Sequence, residues 1–178
     1  MMNFVDGETL WAKWADKSAE QKLEIAKQLR AIMVAMRSLE PATAEIGSCG
    51  GGPALGLRVY DTYRGGLFPD EEAFNAWLTE GTFNATPPIL VQEFRKRFHS
   101  DHRIVFSHGD FARQNIIVKD NRVVSLVDWQ HAGWYPEHWE FIKFFVRSAK
   151  SKNWYQYARE IFPESYFDDL FLYQFLSR

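Results

Sequence analysis

Cysteine is almost missing from this chain: Cys49 stands alone among 178 residues. No internal disulfide can form, and a reducing compartment, the cytoplasm, is the expected setting. Neither sign of charge dominates, since 21 Lys and Arg against 23 Asp and Glu leave a formal net charge of −2. The basic cluster Arg95-Lys96-Arg97 falls on the polar side of a predicted helix. No nucleic-acid partner is expected. No run approaches the roughly 18 apolar residues of a spanning helix, and the N-terminus is acidic instead of basic and apolar, so neither a membrane partner nor a targeting signal is expected. Internal repeats and low-complexity linkers are lacking too. With 46% hydrophobic and 25% charged residues, the composition describes one core-forming domain over residues 1–178 and excludes a disordered tail. The glycine-rich stretch Gly47 to Pro53 lacks the Gly-x-x-x-x-Gly-Lys-Ser/Thr phosphate-loop pattern. It is followed by no helix signal, and Pro53 removes a backbone donor. A flexible surface loop is the reading there.

What the chain does contain is the run His108-Gly109-Asp110-Phe111-Ala112-Arg113-Gln114-Asn115, followed after a short hairpin by Asp128-Trp129. Phosphoryl transfer asks a protein for positioning more than covalent work: a carboxylate to orient a hydroxyl and take its proton, and hard oxygen ligands for magnesium. Asp110 fits the first role, Asn115 and Asp128 the second. Ile104-Val105-Phe106 reads as a strand feeding the loop. Ile116 to Val118 and Val123 to Val127 read as two strands turned at Lys119-Asp120-Asn121-Arg122, which would return Asp128 to Asn115. His108 reads as a brace that hydrogen-bonds the backbone. No glycine-rich nucleotide loop and no strand-borne lysine precede the run, although a kinase uses both to hold the triphosphate.

At these residues the chain resembles the aminoglycoside phosphotransferase family, which also takes in choline-kinase-like and homoserine-kinase-like enzymes. The resemblance is closest to fungal members, whose loop reads His-Gly-Asp-x-x-x-x-Asn-Ile and whose metal-binding strand ends Asp-Trp-Glu-x-Ala-Gly-Trp-Tyr-Pro. Here the second stretch runs from Asp128 to Glu137, with Gln130 in place of the usual glutamate. The resemblance implies that Asp110 is the catalytic base, that Asn115 and Asp128 bind Mg²⁺ and so the nucleotide, that ATP is the donor, and that the acceptor is a hydroxyl of a small molecule. It also implies an α+β, mainly helical fold: the C-terminal lobe of a protein-kinase-like fold, with a small β-hairpin carrying the metal ligands and the N-terminal lobe absent. Residues 1–10 then resemble a hinge remnant, and 104–128 the catalytic loop and metal-binding hairpin.

Lacking the family's nucleotide lobe, the chain is expected to be weakly active or inactive alone, with partner or self-association through an apolar surface around Phe4 and Val5. A degenerate kinase-fold scaffold without catalysis stands as the reading from another class. A segment of a longer kinase is the third.

Helical periodicity completes the picture. Ser18 and Gln21 form a capping box before a stripe of Ile25, Leu29, Ile32, Met33 and Met36 that ends at Pro41. Phe74, Trp77 and Leu78 mark a helix ending at Gly81, and Pro88 opens another whose Leu90, Val91, Phe94 and Phe98 share a face. Trp139, Ile142, Phe145, Val146 and Ala149 mark a helix from about Glu137; Trp154, Tyr157, Ala158 and Ile161 mark the next, and Tyr166 to Leu176 closes the chain. Most of the seven Trp read as core, with Trp129, Trp134 and Tyr135 placed to touch ligands. The acidic residues Glu137, Glu140, Glu160, Glu164, Asp168 and Asp169 read as a solvated face.

Overall fold

A computed structural model describes residues 5–57, 62–80, 86–146 and 152–176. The chain enters as β1 (Glu8–Thr9) and α1 (Leu10–Lys13), then the long α2 (Ala19–Arg37), whose capping box forms as expected: Ser18 Oγ accepts from the Gln21 amide and Gln21 returns the bond. Three short strands follow, β2 (Gly47–Ser48), β3 (Ala54–Leu57) and β4 (Thr62–Gly65), then α3 (Glu71–Thr79) and α4 (Pro88–Arg95). The centre of the chain is β5 (Ile104–Ser107), β6 (Ile116–Lys119), β7 (Arg122–Leu126) and β8 (Gly133–Pro136). It closes with α5 (Trp139–Val146), α6 (Lys152–Tyr155), α7 (Ala158–Ile161) and α8 (Phe167–Leu176).

Small antiparallel sheets, ordered β1-β6-β7, β2-β8-β5 and β3-β4, sit among these helices. Asp120 and Asn121 turn the β6-β7 hairpin, both with positive φ (48° and 62°). Such a two-residue turn matches the twist of paired strands. Ile25, Leu29 and Met33 of α2 are fully buried, and Arg30 donates to the Phe162 carbonyl at 2.7 Å, fastening α2 to the end of α7. An aromatic cluster fills the other half of the core, where Trp139 meets Phe74 and Tyr173 edge-on at 5.1 and 5.7 Å. No described helix is long and apolar enough to cross a membrane.

Four expectations change. The glycine-rich stretch is no free loop, because Gly47-Ser48 pair with Trp134-Gly133 and the Cys49 amide donates to the Ala132 carbonyl at 3.1 Å. A Cβ on Gly133 would lie 2.2 Å from the Gly47 carbonyl oxygen, so glycine there permits a backbone approach that no side chain would allow. The face of α4 is apolar but only partly covered: Ile89 and Leu90 are exposed, while Phe94, and Phe98 past the helix end, pack against the core. Periodicity tells which residues share a face, not whether anything covers it. The helix read across Trp154 to Ile161 is two short ones, with Trp154, Ala158 and Ile161 all buried. Finally, Glu140 and Asp169 are buried and do not belong to a solvated face. Phe4, Gly81 and Ala149 lie outside the described residues, while Val5 is exposed.

Candidate functional site

The loop after β5 is wound on itself by short-range hydrogen bonds. The Ala112 amide donates to the Asp110 carbonyl (2.8 Å) and the Asn115 amide to the Ala112 carbonyl (2.9 Å), while buried Phe111 anchors the turn from below. Asn115 Nδ2 reaches back to both oxygens of its neighbour's end of the loop, the Asp110 carbonyl at 3.0 Å and Asp110 Oδ2 at 2.8 Å. The amide nitrogen is therefore committed to Asp110, which leaves Asn115 Oδ1 as the atom to offer elsewhere.

The hairpin brings the second half of the site to the first. The Val127 amide donates to the Asn115 carbonyl at 2.9 Å, and the Val127 carbonyl lies 3.0 Å from His108 Nε2. On the other side of the same ring, Nδ1 accepts the Asp110 amide at 3.2 Å. This pair of bonds assigns the neutral tautomer with its proton on Nε2, and burial holds the His108 pKa below its ordinary value. Neither ring nitrogen is left to move a proton. The imidazole clamps the Asp110 backbone to the residue preceding Asp128.

Asp128 is exposed and takes a left-handed backbone, φ 64° and ψ 61°. Aspartate tolerates that region better than most residues, at a cost of order 1–3 kcal/mol that the surrounding bonds must offset. Asp110 and Asn115, by contrast, are 2% and 5% exposed. Of the three side chains, Asp128 is the one that is exposed. Tyr135, expected at the ligand side, is fully buried and accepts the Leu55 amide at its hydroxyl. Trp129 is the aromatic residue that stays near the surface, tilted over His108 at 4.5 Å between ring centres. Gln130 is exposed.

Two residues of α5 were not anticipated as parts of this site. Glu140, buried on an otherwise apolar helix, accepts the Gly109 amide at Oε2 (3.0 Å). Burial pushes its carboxyl up, opposed by the backbone N–H groups of Gly109, His108 and Phe111. One turn later Lys143 is 1% exposed, its ammonium 4.3 Å from the Trp139 ring centre, and burial pulls its pKa down to about 7 against the attraction of Glu140. The available signal was a Glu and a Lys three apart inside Trp-Glu-Phe-Ile-Lys-Phe-Phe, a charged pair in a helix too apolar to show a solvent face.

Gly109 has φ +77°, and a Cβ there would lie 2.4 Å from the His131 carbonyl oxygen. Gly109→Ala is expected to destabilise the fold by about 2 kcal/mol or more, through left-handed strain plus a backbone clash. A shift in the urea midpoint reads it, and an unchanged midpoint would mean that the loop is not held as described.

The model of the phosphotransferase enzyme family matches residues 1–175. An aminoglycoside 3'-phosphotransferase of Enterococcus faecalis is 33% identical over 81 residues, 46% of this chain and 29% of that protein. One from Staphylococcus aureus is 32% identical over the same shares. These relatives are bacterial, so they lend no support to a closeness to fungal members. Among solved structures, an aminoglycoside-3'-phosphotransferase of type VIII superposes with a TM-score of 0.56 at 15% identity, covering 98% of this chain and 66% of the other. A thermostable mutant of aminoglycoside phosphotransferase APH(4)-Ia, in ternary complex with ADP and hygromycin B, gives 0.55 at 12%, covering 98% and 60%. The chain thus spans less than two thirds of the length of these proteins, and their fold is shared.

Proposed function

Because this chain belongs to the phosphotransferase enzyme family, we propose that residues 108–128 form the proton- and metal-handling part of a site that passes the γ-phosphoryl group of ATP to a hydroxyl of a small molecule. The observation that carries this reading is the double clamp. Asn115 Nδ2 holds the Asp110 carboxylate, and His108 joins the Asp110 amide to the Val127 carbonyl, so loop and hairpin act as one rigid piece. Positioning of that kind is the main contribution a protein makes to phosphoryl transfer.

Asp110 is assigned to orient the acceptor hydroxyl and take its proton at the carboxylate. Its bond from Asn115 fixes the carboxylate plane before any acceptor arrives. Mg²⁺ suits the donor set, since Asn115 Oδ1 and the exposed Asp128 carboxylate are hard oxygens and no soft ligand stands between them. Bound there, the ion would draw charge from the phosphate oxygens. The named relatives phosphorylate aminoglycosides and one neighbour was solved with hygromycin B, which supports a polyhydroxylated small molecule as acceptor. A second reading, a non-catalytic binding protein of the same fold, draws on the near-complete burial of Asp110.

Asp128→Asn separates the two. It removes a charge from the proposed metal site while asparagine keeps the left-handed backbone at little cost. The Mg²⁺ concentration needed for half-maximal ATP binding or turnover is expected to rise about tenfold or more, with the thermal midpoint little changed. An unaltered Mg²⁺ requirement would remove Asp128 from the metal site and favour the non-catalytic reading.

A further inference from the structure

Away from the 108–128 loop, three potential ligands converge where nothing in the phosphotransferase reading uses them. Glu71 opens α3, His102 lies in the segment before β5, and His138 sits in the turn between β8 and α5. His102 Nδ1 is 2.8 Å from Glu71 Oε1, His138 Nδ1 is 3.5 Å from that same oxygen, and the two Nδ1 atoms are 3.3 Å apart. Glu71 and His138 are buried, and His102 is nearly so, its side chain 12% exposed.

We propose that Glu71, His102 and His138 form a second metal site, selective for Zn²⁺, that clips α3, the β5 entry and the β8–α5 turn together. Zn²⁺ binds imidazole nitrogen and carboxylate oxygen at about 2.0–2.2 Å, so tetrahedral ligands around it stand about 3.3–3.5 Å from one another. Two of the three separations, 3.3 and 3.5 Å, already match, and the third, 2.8 Å, has to open by about half an ångström to admit the ion. Protons satisfy the cluster less well. If His102 Nδ1 carries the hydrogen, that one proton must be split between Glu71 Oε1 at 2.8 Å and the His138 Nδ1 lone pair at 3.3 Å; if both nitrogens carry hydrogens, two donors oppose each other across 3.3 Å. One cation accepts all three lone pairs.

The surroundings are those of a supported metal site. The His102 backbone amide donates to Glu71 Oε2 at 2.9 Å, which turns Oε1 inward. On the far side of the His102 ring, Asp169 Oδ2 of α8 lies 3.9 Å from Nε2, beyond hydrogen-bond length but on the side from which a carboxylate supports a zinc-bound imidazole. Two imidazoles and one carboxylate favour Zn²⁺ over Mg²⁺, whereas the all-oxygen set of Asn115 and Asp128 has the opposite preference. The partial exposure of His102 leaves room for water as the fourth ligand. His138 is two residues before Glu140, so the clip would anchor the start of the helix that braces Gly109.

The test is titration of the tag-free, chelator-treated chain with ZnCl₂, followed by calorimetry and thermal unfolding. One Zn²⁺ per chain is expected, with a dissociation constant of about 1 μM or tighter and a thermal midpoint that rises on loading. Excess MgCl₂ should not displace it. His138→Gln and Glu71→Gln should each weaken binding by about tenfold or more, while Cys49→Ser should leave it unchanged. Because either ligand variant could fold poorly, CoCl₂ replaces Zn²⁺ in the unaltered chain as a second reading. A strong visible spectrum of a four- or five-coordinate ion without a thiolate band supports the site. A weak six-coordinate spectrum, Zn²⁺ binding no tighter than about 0.1 mM, or equal affinity in folded His138→Gln would each overturn it.

Discussion

In a version extended upstream with the family's nucleotide lobe, replacement of Asp110 by asparagine is expected to lower turnover of ATP with a hydroxyl acceptor by a factor of about 10²–10⁴ while leaving the fold intact. The physical reason lies in what the substitution keeps. Asparagine matches aspartate in size, its side-chain oxygen still accepts the Asn115 amide that now meets Oδ2 at 2.8 Å, and the backbone bond to His108 Nδ1 is untouched. What is lost is the negative charge and, with it, the capacity to take a proton. Steady-state rates at saturating Mg²⁺ and ATP, with a denaturation curve beside them, check the result. Turnover equal to that of the unaltered protein would sink the assignment of Asp110 as the base and leave a binding role for this loop.

The second large effect is structural. Glu140→Ala should destabilise the protein by about 3 kcal/mol or more, because it removes the acceptor of the buried Gly109 amide and strips the neighbouring carboxylate from buried Lys143. Each lost partner of a buried donor costs roughly 1–3 kcal/mol, and a buried charge left behind costs more. Glu140→Gln keeps an oxygen at the same place and should cost less than the alanine change. Urea unfolding of both variants reads the difference. A loss below about 1 kcal/mol for Glu140→Ala would show that the helix does not carry the loop.

Local signals settled most of what surrounds Asp110, because each rests on neighbours in sequence. The strand at Ile104, the two-residue turn at Asp120-Asn121 and the capping box at Ser18 each form where backbone preference places them. The loop and hairpin that carry Asp110, Asn115 and Asp128 were legible for the same reason, because their geometry is local. His108 as a brace was legible too, though not the two atoms that it joins.

What the tertiary structure decided is everything that depends on which surfaces meet. Tyr135, next to the half-buried Trp134, is fully buried because it packs into the aromatic cluster of Phe74 and Trp139. Glycines 47 and 133 come together from distant segments because a sheet edge needs their bare backbones. The apolar run around Glu140 hints that it is not solvated, but only the packing of α5 under the loop delivers it to the Gly109 amide. Glu71, His102 and His138 lie 31 and 36 positions apart along the chain, too far for any local pattern to join them. Spacing within a loop is dictated by covalent geometry, whereas the meeting of such distant groups is chosen by burial, and burial belongs to the whole chain at once.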